Sequence, residues 1–400
     1  MLGAPAPPPP GLVDRPAPRA GRSPVVLAVI GAALAAAIGV VVTLAGDDGG
    51  SDGGSETTTT AGEAGAPADP AARVIAGGHG PNASGDGGQA GNAGLTPIGI
   101  AFAPDGAMYI ADPLNGRIRR IDLDGTIHSL LGPAPAGEPP LVSVSSRSPY
   151  DVAFMGDGSL VVVDSGGSMY TFDSDGVLHD DILLTFSTPG GETPPFTFQV
   201  SEVVGMPDGS VVVIGVEHSG GNSSDGPAIV RVTPDRDATL VAGLGDVAPA
   251  DGVPAIGTRL DLTALAALPD GTIVFSTGGG EGAEPAALWT LGDDGVVHAV
   301  PDSGDPNMPR IATLLGGSPT LVGAPDGSLF IADFVTSGLW HRLPDGEIVT
   351  VVAPQGEPRT NGLVPIDLVG PEHLAFDAGG TLYVSESTNA LIHAIARVVG

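Results

Sequence analysis

One short unit recurs six times along this chain, and no other feature limits its fold as tightly. PIGIAFAPDGAMYIAD (97–112) is echoed by PYDVAFMGDGSLVVVD (149–164), VSEVVGMPDGSVVVIG (200–215), DLTALAALPDGTIVFST (261–277), SPTLVGAPDGSLFIAD (318–333) and GPEHLAFDAGGTLYVSE (370–386). Each copy is an apolar run, a turn ending in glycine and a second apolar run, which is the pattern of a β-hairpin. The turn glycines are Gly106, Gly158, Gly209, Gly271, Gly327 and Gly380, spaced 52, 51, 62, 56 and 53 residues apart. That spacing suits a blade of four antiparallel strands, which takes about 40–50 residues. Third strands such as 117–122 and 338–343 and fourth strands such as 347–353 follow the hairpins. The last unit ends without a fourth strand, and ARVIAGG (72–78) resembles the outer strands at 240–245 and 350–356. The prediction is an all-β, six-bladed propeller over residues 71–400, closed by its own N-terminal strand so that no sheet edge is left bare.

The residues before the propeller divide into three. Residues 1–23 are rich in Pro and Ala, carry Arg15, Arg19 and Arg22, and are predicted to be disordered. Residues 24–46 include an uncharged run from Val25 to Ala45. As a helix this run spans roughly 30 Å, the thickness of a bilayer's hydrocarbon core. It also exceeds the 7 to 15 apolar residues usual for a cleaved leader, so a retained transmembrane anchor is predicted. Arginines precede it and Asp47, Asp48 and Asp52 follow it, which places the N-terminus in the cytoplasm and the propeller outside. Residues 47–70 are Gly, Ser, Thr and acid, the composition of a flexible tether.

Composition excludes several chemistries. The chain has no cysteine, so disulfides, thiolate metal sites and cysteine nucleophiles are absent. Its formal charge is −31, and all 15 basic residues are arginine. Such a field repels phosphate backbones, so no nucleic-acid partner is expected. The Gly-rich stretches 84–88 and 278–282 lack the lysine and following helix of a phosphate cradle and are read as turns.

The segment GHGPNASGDGGQAGNAGLTPIGIAFAPDG (78–106) resembles the connection between successive blades in NHL-repeat β-propellers of the bacterial membrane-anchored, extracytoplasmic type. Its Asp86, Leu95 and Gly106 are spaced by 9 and 11 residues, and Asp251, Leu260 and Gly271 repeat both intervals. The resemblance covers residues 72–400. It implies the propeller fold and leaves function open, because related propellers serve as sensors, scaffolds and enzymes.

Two sets of residues fall at one mouth of the central channel. Six residues after each turn glycine stand Asp112, Asp164, Gly215, Thr277, Asp333 and Glu386. The four carboxylates among them form either an acidic collar for a cation or basic peptide, or caps for their own turns. The starts of the first strands add Tyr150, Asp151, Ser201, Glu202, Thr263, Glu372 and His373. The leading expectation is a membrane-tethered, non-catalytic scaffold that binds or senses a protein, peptide or small molecule at this mouth, with no cofactor beyond a divalent cation such as calcium. The alternative is a metal-dependent hydrolase or lyase resembling lactonase propellers, with Glu372, Asp151 and Glu202 about the metal.

Overall fold

The computed structural model describes residues 71–131, 148–174, 177–179, 198–217, 227–278, 286–302, 304, 309–315, 317–357 and 363–396. The predicted tail, membrane helix and linker lie outside these residues. Among the described residues no helix is long and apolar enough to cross a membrane.

Six sheets follow one another along the chain, each built on four antiparallel strands with the first strand of its hairpin innermost. The inner strands are Ile100–Phe102, Pro149–Phe154, Phe198–Gly205, Leu262–Ala267, Pro319–Gly323 and His373–Phe376, in blades 1 to 6. The second strands are Met108–Asp112, Leu160–Asp164, Val211–Glu217, Ile273–Thr277, Leu329–Asp333 and Leu382–Glu386. Blades 3 and 4 each gain a short fifth strand at the outer side, Ile256–Thr258 and Val253–Pro254 respectively.

Each hairpin turns on its glycine. Gly106, Gly158, Gly209, Gly271, Gly327 and Gly380 sit at φ between 77° and 89°, where a side chain is strained and glycine is not. The preceding Asp, or Asp377 in blade 6, accepts the N–H two residues on, as Asp157 does from Ser159 at 2.9 Å and Asp270 from Thr272 at 2.9 Å. Local chemistry therefore sets the register of all six hairpins before any packing occurs.

Packing then works between blades. The described residues hold six apolar clusters, one at each seam between neighbouring blades. Second strands such as LVVVD and LFIAD are buried along their whole length, because a neighbour covers each face. Phe330 is an example: fully buried in blade 5, it stacks on His341 at 4.1 Å and meets Phe376 of blade 6 edge-on at 5.4 Å. Trp340 packs in the seam between blades 4 and 5, as its third-strand position predicts.

The ring closes as expected from the repeat. Ala71–Gly77 pairs antiparallel with Leu391–Ala396, Ala71 opposite Ala396 and Gly77 opposite Leu391. Ala71 thus enters at the turn-glycine end of blade 6, and Gly77 leaves at the other end. Residues 78–95 cross to blade 1, where Asp86 grips Arg119 at 2.6 Å and Arg117 at 3.5 Å. Gly85 and Gly87 take positive φ there, so the Gly-rich stretch is a turn built around an ion pair. The matching stretch before blade 4 behaves alike: Asp251 Oδ1 accepts the Ala299 N–H at 3.1 Å, and Leu260 is buried as Leu95 is.

Candidate functional site

Seven residues before its turn glycine, each inner strand places one residue at the same height in the channel: Gly99, Asp151, Glu202, Ala264, Thr320 and His373. Three of the six are ionisable. In blades 2, 3 and 4 the pairing with the second strand slips by one residue just before this position, at Tyr150, Ser201 and Thr263. Neighbouring residues on a strand ordinarily face opposite sides, and such a bulge redirects them. Tyr150 with Asp151, Ser201 with Glu202, and Thr263 therefore all border one cavity of about 580 Å³ at the mouth of the channel.

The polar groups of the ring are held by backbone. An inner strand has no further strand on its axial side, so its N–H groups there need other acceptors. Asp151 Oδ2 accepts the Val203 N–H at 2.9 Å, Glu202 Oε1 accepts the Leu265 N–H at 3.2 Å, and the Ile100 N–H donates to His373 Nδ1 at 3.4 Å. Each bond runs from the ring residue of one blade to the next blade, one position beyond its own ring residue. Asp151 Oδ1 also accepts the Val152 N–H at 2.8 Å and lies 3.3 Å from His373 Nε2. With Nδ1 accepting, the imidazole proton belongs on Nε2, the nitrogen beside Asp151.

This crowding displaces the acidities of the carboxyls. Burial raises the pKa of Asp151 against the pull of His373 and two backbone N–H groups. Burial, and then repulsion from Asp151, pushes Glu202 up to about 8. Glu372 is raised by burial and steadied by a hydrogen bond from the Ser387 hydroxyl. The Tyr150 phenol is raised by burial and by the charges of Glu372, Asp151 and Glu202. At neutral pH the cavity thus holds Glu202 mainly as a neutral acid.

Of the nine residues singled out from the sequence, the cavity brings together Tyr150, Asp151, Asp164, Glu202, Glu372 and His373. Asp112, Asp333 and Glu386 stand apart from it. The proposed acidic collar is buried instead: Asp112, Asp164, Asp333 and Glu386 are 0–3 % exposed. Each carboxylate accepts loop N–H groups, Asp112 from Thr96, Asp164 from Gly166 and Ser168, Asp333 from Ser318 and Thr336, Glu386 from Val369. Most also meet a donor on the third strand of their own blade. Arg119 lies 3.6 Å from Asp112, Tyr170 donates to Asp164 at 3.1 Å, and His393 lies 3.3 Å from Glu386. Trp289 does the same for Thr277 at 2.8 Å. The physical reason is that a buried carboxylate must be paired, and the turn-capping alternative describes these residues.

A lactonase-like centre would need several free oxygen or nitrogen donors converging on one cation. Here both Asp151 oxygens, one Glu202 oxygen and both His373 nitrogens already have partners. Among the described residues no three His, Asp or Glu side chains are grouped to hold a metal ion, so these residues do not fit a lactonase-type cation cage. The fourth-strand histidines are likewise structural, His128, His179 and His298 each facing an Asp of the preceding turn at 3.3, 3.1 and 2.8 Å.

Sequence reading missed Gly99 and Ser387. Counting back seven residues from each turn glycine exposes the first; Ser387 follows a second strand and carries no comparable signal.

No protein-family model matches the chain, and no curated protein sequence matches it. Solved structures do. A protein provisionally described as a gluconolactonase aligns over 82 % of this chain and 92 % of its own, with a TM-score of 0.51 and 19 % identity. A Bacteroides thetaiotaomicron protein of unknown function aligns over 82 % of this chain and 76 % of its own, with a TM-score of 0.53 and 15 % identity. A virginiamycin B lyase from Staphylococcus aureus covers 75 % of this chain and 94 % of its own, at a TM-score of 0.45 and 14 % identity. At these identities the likeness is one of fold: the chain is a six-bladed β-propeller, with a protein provisionally described as a gluconolactonase among its structural neighbours.

Proposed function

We propose that the cavity is an acid–base active site for hydrolysis of, or elimination from, a small uncharged ester or lactone. The supporting observation is the ring itself: Asp151, Glu202 and His373 occupy one structural position in three blades, and bulges turn Tyr150, Ser201 and Thr263 into the same cavity. Its volume of about 580 Å³ suits a small molecule, and its acidic lining disfavours anions. The gluconolactonase description of a propeller with similar fold belongs to the same reaction class.

In hydrolysis, water attacks the ester carbonyl while the Glu372 carboxylate takes its proton. Glu202, protonated near neutral pH, gives its proton to the alkoxide oxygen as the carbon–oxygen bond breaks. Solvent then returns one proton from Glu372 to Glu202. Two carboxyls held at different acidities allow this division of labour. Asp151 and His373 fix the floor of the site.

The bacterial NHL-type grouping, and display outside the membrane through residues 24–46, belong to the same reading. The repeated Asp, Leu and Gly spacing supports the first, and the uncharged run with arginines on its N-terminal side supports the second.

The test is turnover of a panel of γ- and δ-lactones and short aryl esters by the full chain. Wild type is expected to hydrolyse at least one, losing rate as pH rises past about 8. E202Q is expected to lower kcat about 10²- to 10⁴-fold, the usual contribution of a positioned acid. Saturable binding with no turnover of any member would overturn the catalytic reading in favour of a binding scaffold.

A further inference from the structure

The 3.3 Å contact between Asp151 and His373 joins blade 2 to blade 6. Blade 1 lies between them in the ring, and its own ring residue is Gly99. We propose that Gly99 is a positioning residue of the site: the space left by its missing side chain is what allows Asp151 and His373 to meet across blade 1. This inference rests on the reading of the cavity as a functional site.

A Cβ at residue 99 would lie 2.4 Å from Asp151 Oδ1, 2.7 Å from Asp151 Cα and 3.0 Å from the Tyr150 carbonyl oxygen. Distances below 3.0 Å to backbone do not occur between real Cβ atoms and their neighbours, so a side chain here must displace blade 2. Gly99 itself has little freedom to retreat. Its N–H donates to the Tyr150 carbonyl at 3.1 Å, and its carbonyl accepts the Ala111 N–H at 2.8 Å. No positive φ marks this glycine, unlike those at the six hairpin turns. Backbone conformation therefore does not require glycine at position 99, and steric clearance does.

The other ring positions sharpen the contrast. Blades 4 and 5 carry Ala264 and Thr320 at the same height, so the propeller accommodates a side chain there in principle. Only on blade 1 is the place of that side chain taken by a carboxylate from the next blade. His373 is held from the same side, since its Nδ1 accepts from Ile100, the residue after Gly99. Ser385 Oγ adds a bond to the Ile98 carbonyl at 2.6 Å. The segment 98–100 thus seats both partners of the pair, on one side through hydrogen bonds and on the other through absence of bulk.

The test is G99A in the full chain, read by the imidazole Nε2–H proton signal of His373, assigned by loss in H373Q. With the Ile100 N–H on Nδ1, the ring proton stays on Nε2 whether or not Asp151 is in reach; the nearby carboxylate moves the signal of that Nε2-bound proton downfield and slows its exchange with water, and without the carboxylate the signal shifts upfield and exchanges. Asp151 lies beside His373, and Glu372, Glu202 and Tyr150 line the same cavity, so spectra are compared at one fixed pH. G99A is expected to shift the Nε2–H signal upfield and speed its exchange, as D151N does by replacing the carboxylate with a weaker, neutral acceptor. G91A, whose added Cβ meets nothing within 4 Å, is expected to leave it as in wild type. A folded G99A with the wild-type His373 signature overturns the proposal. If G99A does not accumulate as folded protein, D151N is read in its place, and an unchanged signature there overturns the pairing that the clearance serves. No substrate enters this measurement, so failure of every ester in the panel leaves its outcome intact.

Discussion

Glu202 shows what a single residue contributes here. Its carboxyl has one backbone partner, the Leu265 N–H, and shares a crowded cavity with Asp151. Its folded pKa, about 8, lies well above the ordinary carboxyl value of 4.5. The native state therefore binds a proton that the unfolded chain has already released over this interval. Stability contributed by that proton is fully present below about pH 4.5 and is lost as pH rises through about 8. Asp151 and Glu372 shift in the same direction and add to the trend. Melting temperature is expected to fall between about pH 5 and 8, and E202Q, which cannot lose the proton, to flatten that slope. A wild-type melting curve independent of pH over this range would contradict the burial of Glu202. From sequence, Glu202 was recognisable as a mouth residue because the repeat puts it at the start of a first strand. Its raised acidity was not, because that depends on Asp151, 51 positions away in the chain, lying across the seam.

At the scale of elements, the closing strand is the most exposed dependency. Residues 71–77 supply the fourth strand of blade 6, and Ala76 is buried in the seam with blade 1. Deleting these seven residues removes a ladder of backbone hydrogen bonds worth about 1 kcal/mol each, for a loss on the order of 5 kcal/mol. It also bares the edge of blade 6, which invites pairing with another chain. Chemical denaturation is expected to show a lower midpoint, and sizing chromatography a new dimer or aggregate. An unchanged midpoint would mean that the strand does not close the ring. This element was legible in sequence because ARVIAGG repeats the pattern of other outer strands. The bulges at Tyr150, Ser201 and Thr263 were not legible, since a one-residue slip leaves the apolar pattern on either side intact.

For the whole molecule, the chain enters the propeller at Ala71, on the face opposite the cavity. If residues 24–46 anchor the chain as their composition predicts, a reporter fused after Gly400 will be active only on the outer side of the membrane. Activity confined to the cytoplasm would reverse the orientation drawn from Arg15, Arg19 and Arg22.

The amino-acid sequence by itself determined the number of blades, the register of their hairpins and the closure of the ring. These follow from short-range chemistry, a glycine at positive φ and an aspartate bonding two residues on, repeated six times. Only the tertiary structure decided which mouth residues act together. Asp112, Asp164, Asp333 and Glu386 share one alignment column, yet burial turns each toward its own blade, where loop N–H groups pair it, joined by a third-strand donor for Asp112, Asp164 and Glu386. Asp151, Glu202 and His373 share another column, and ring geometry brings them to one cavity, with Gly99 leaving the room between them. Contacts across a closed ring depend on the spatial order of blades and on the clearance at each, and neither quantity is written in the local pattern of residues.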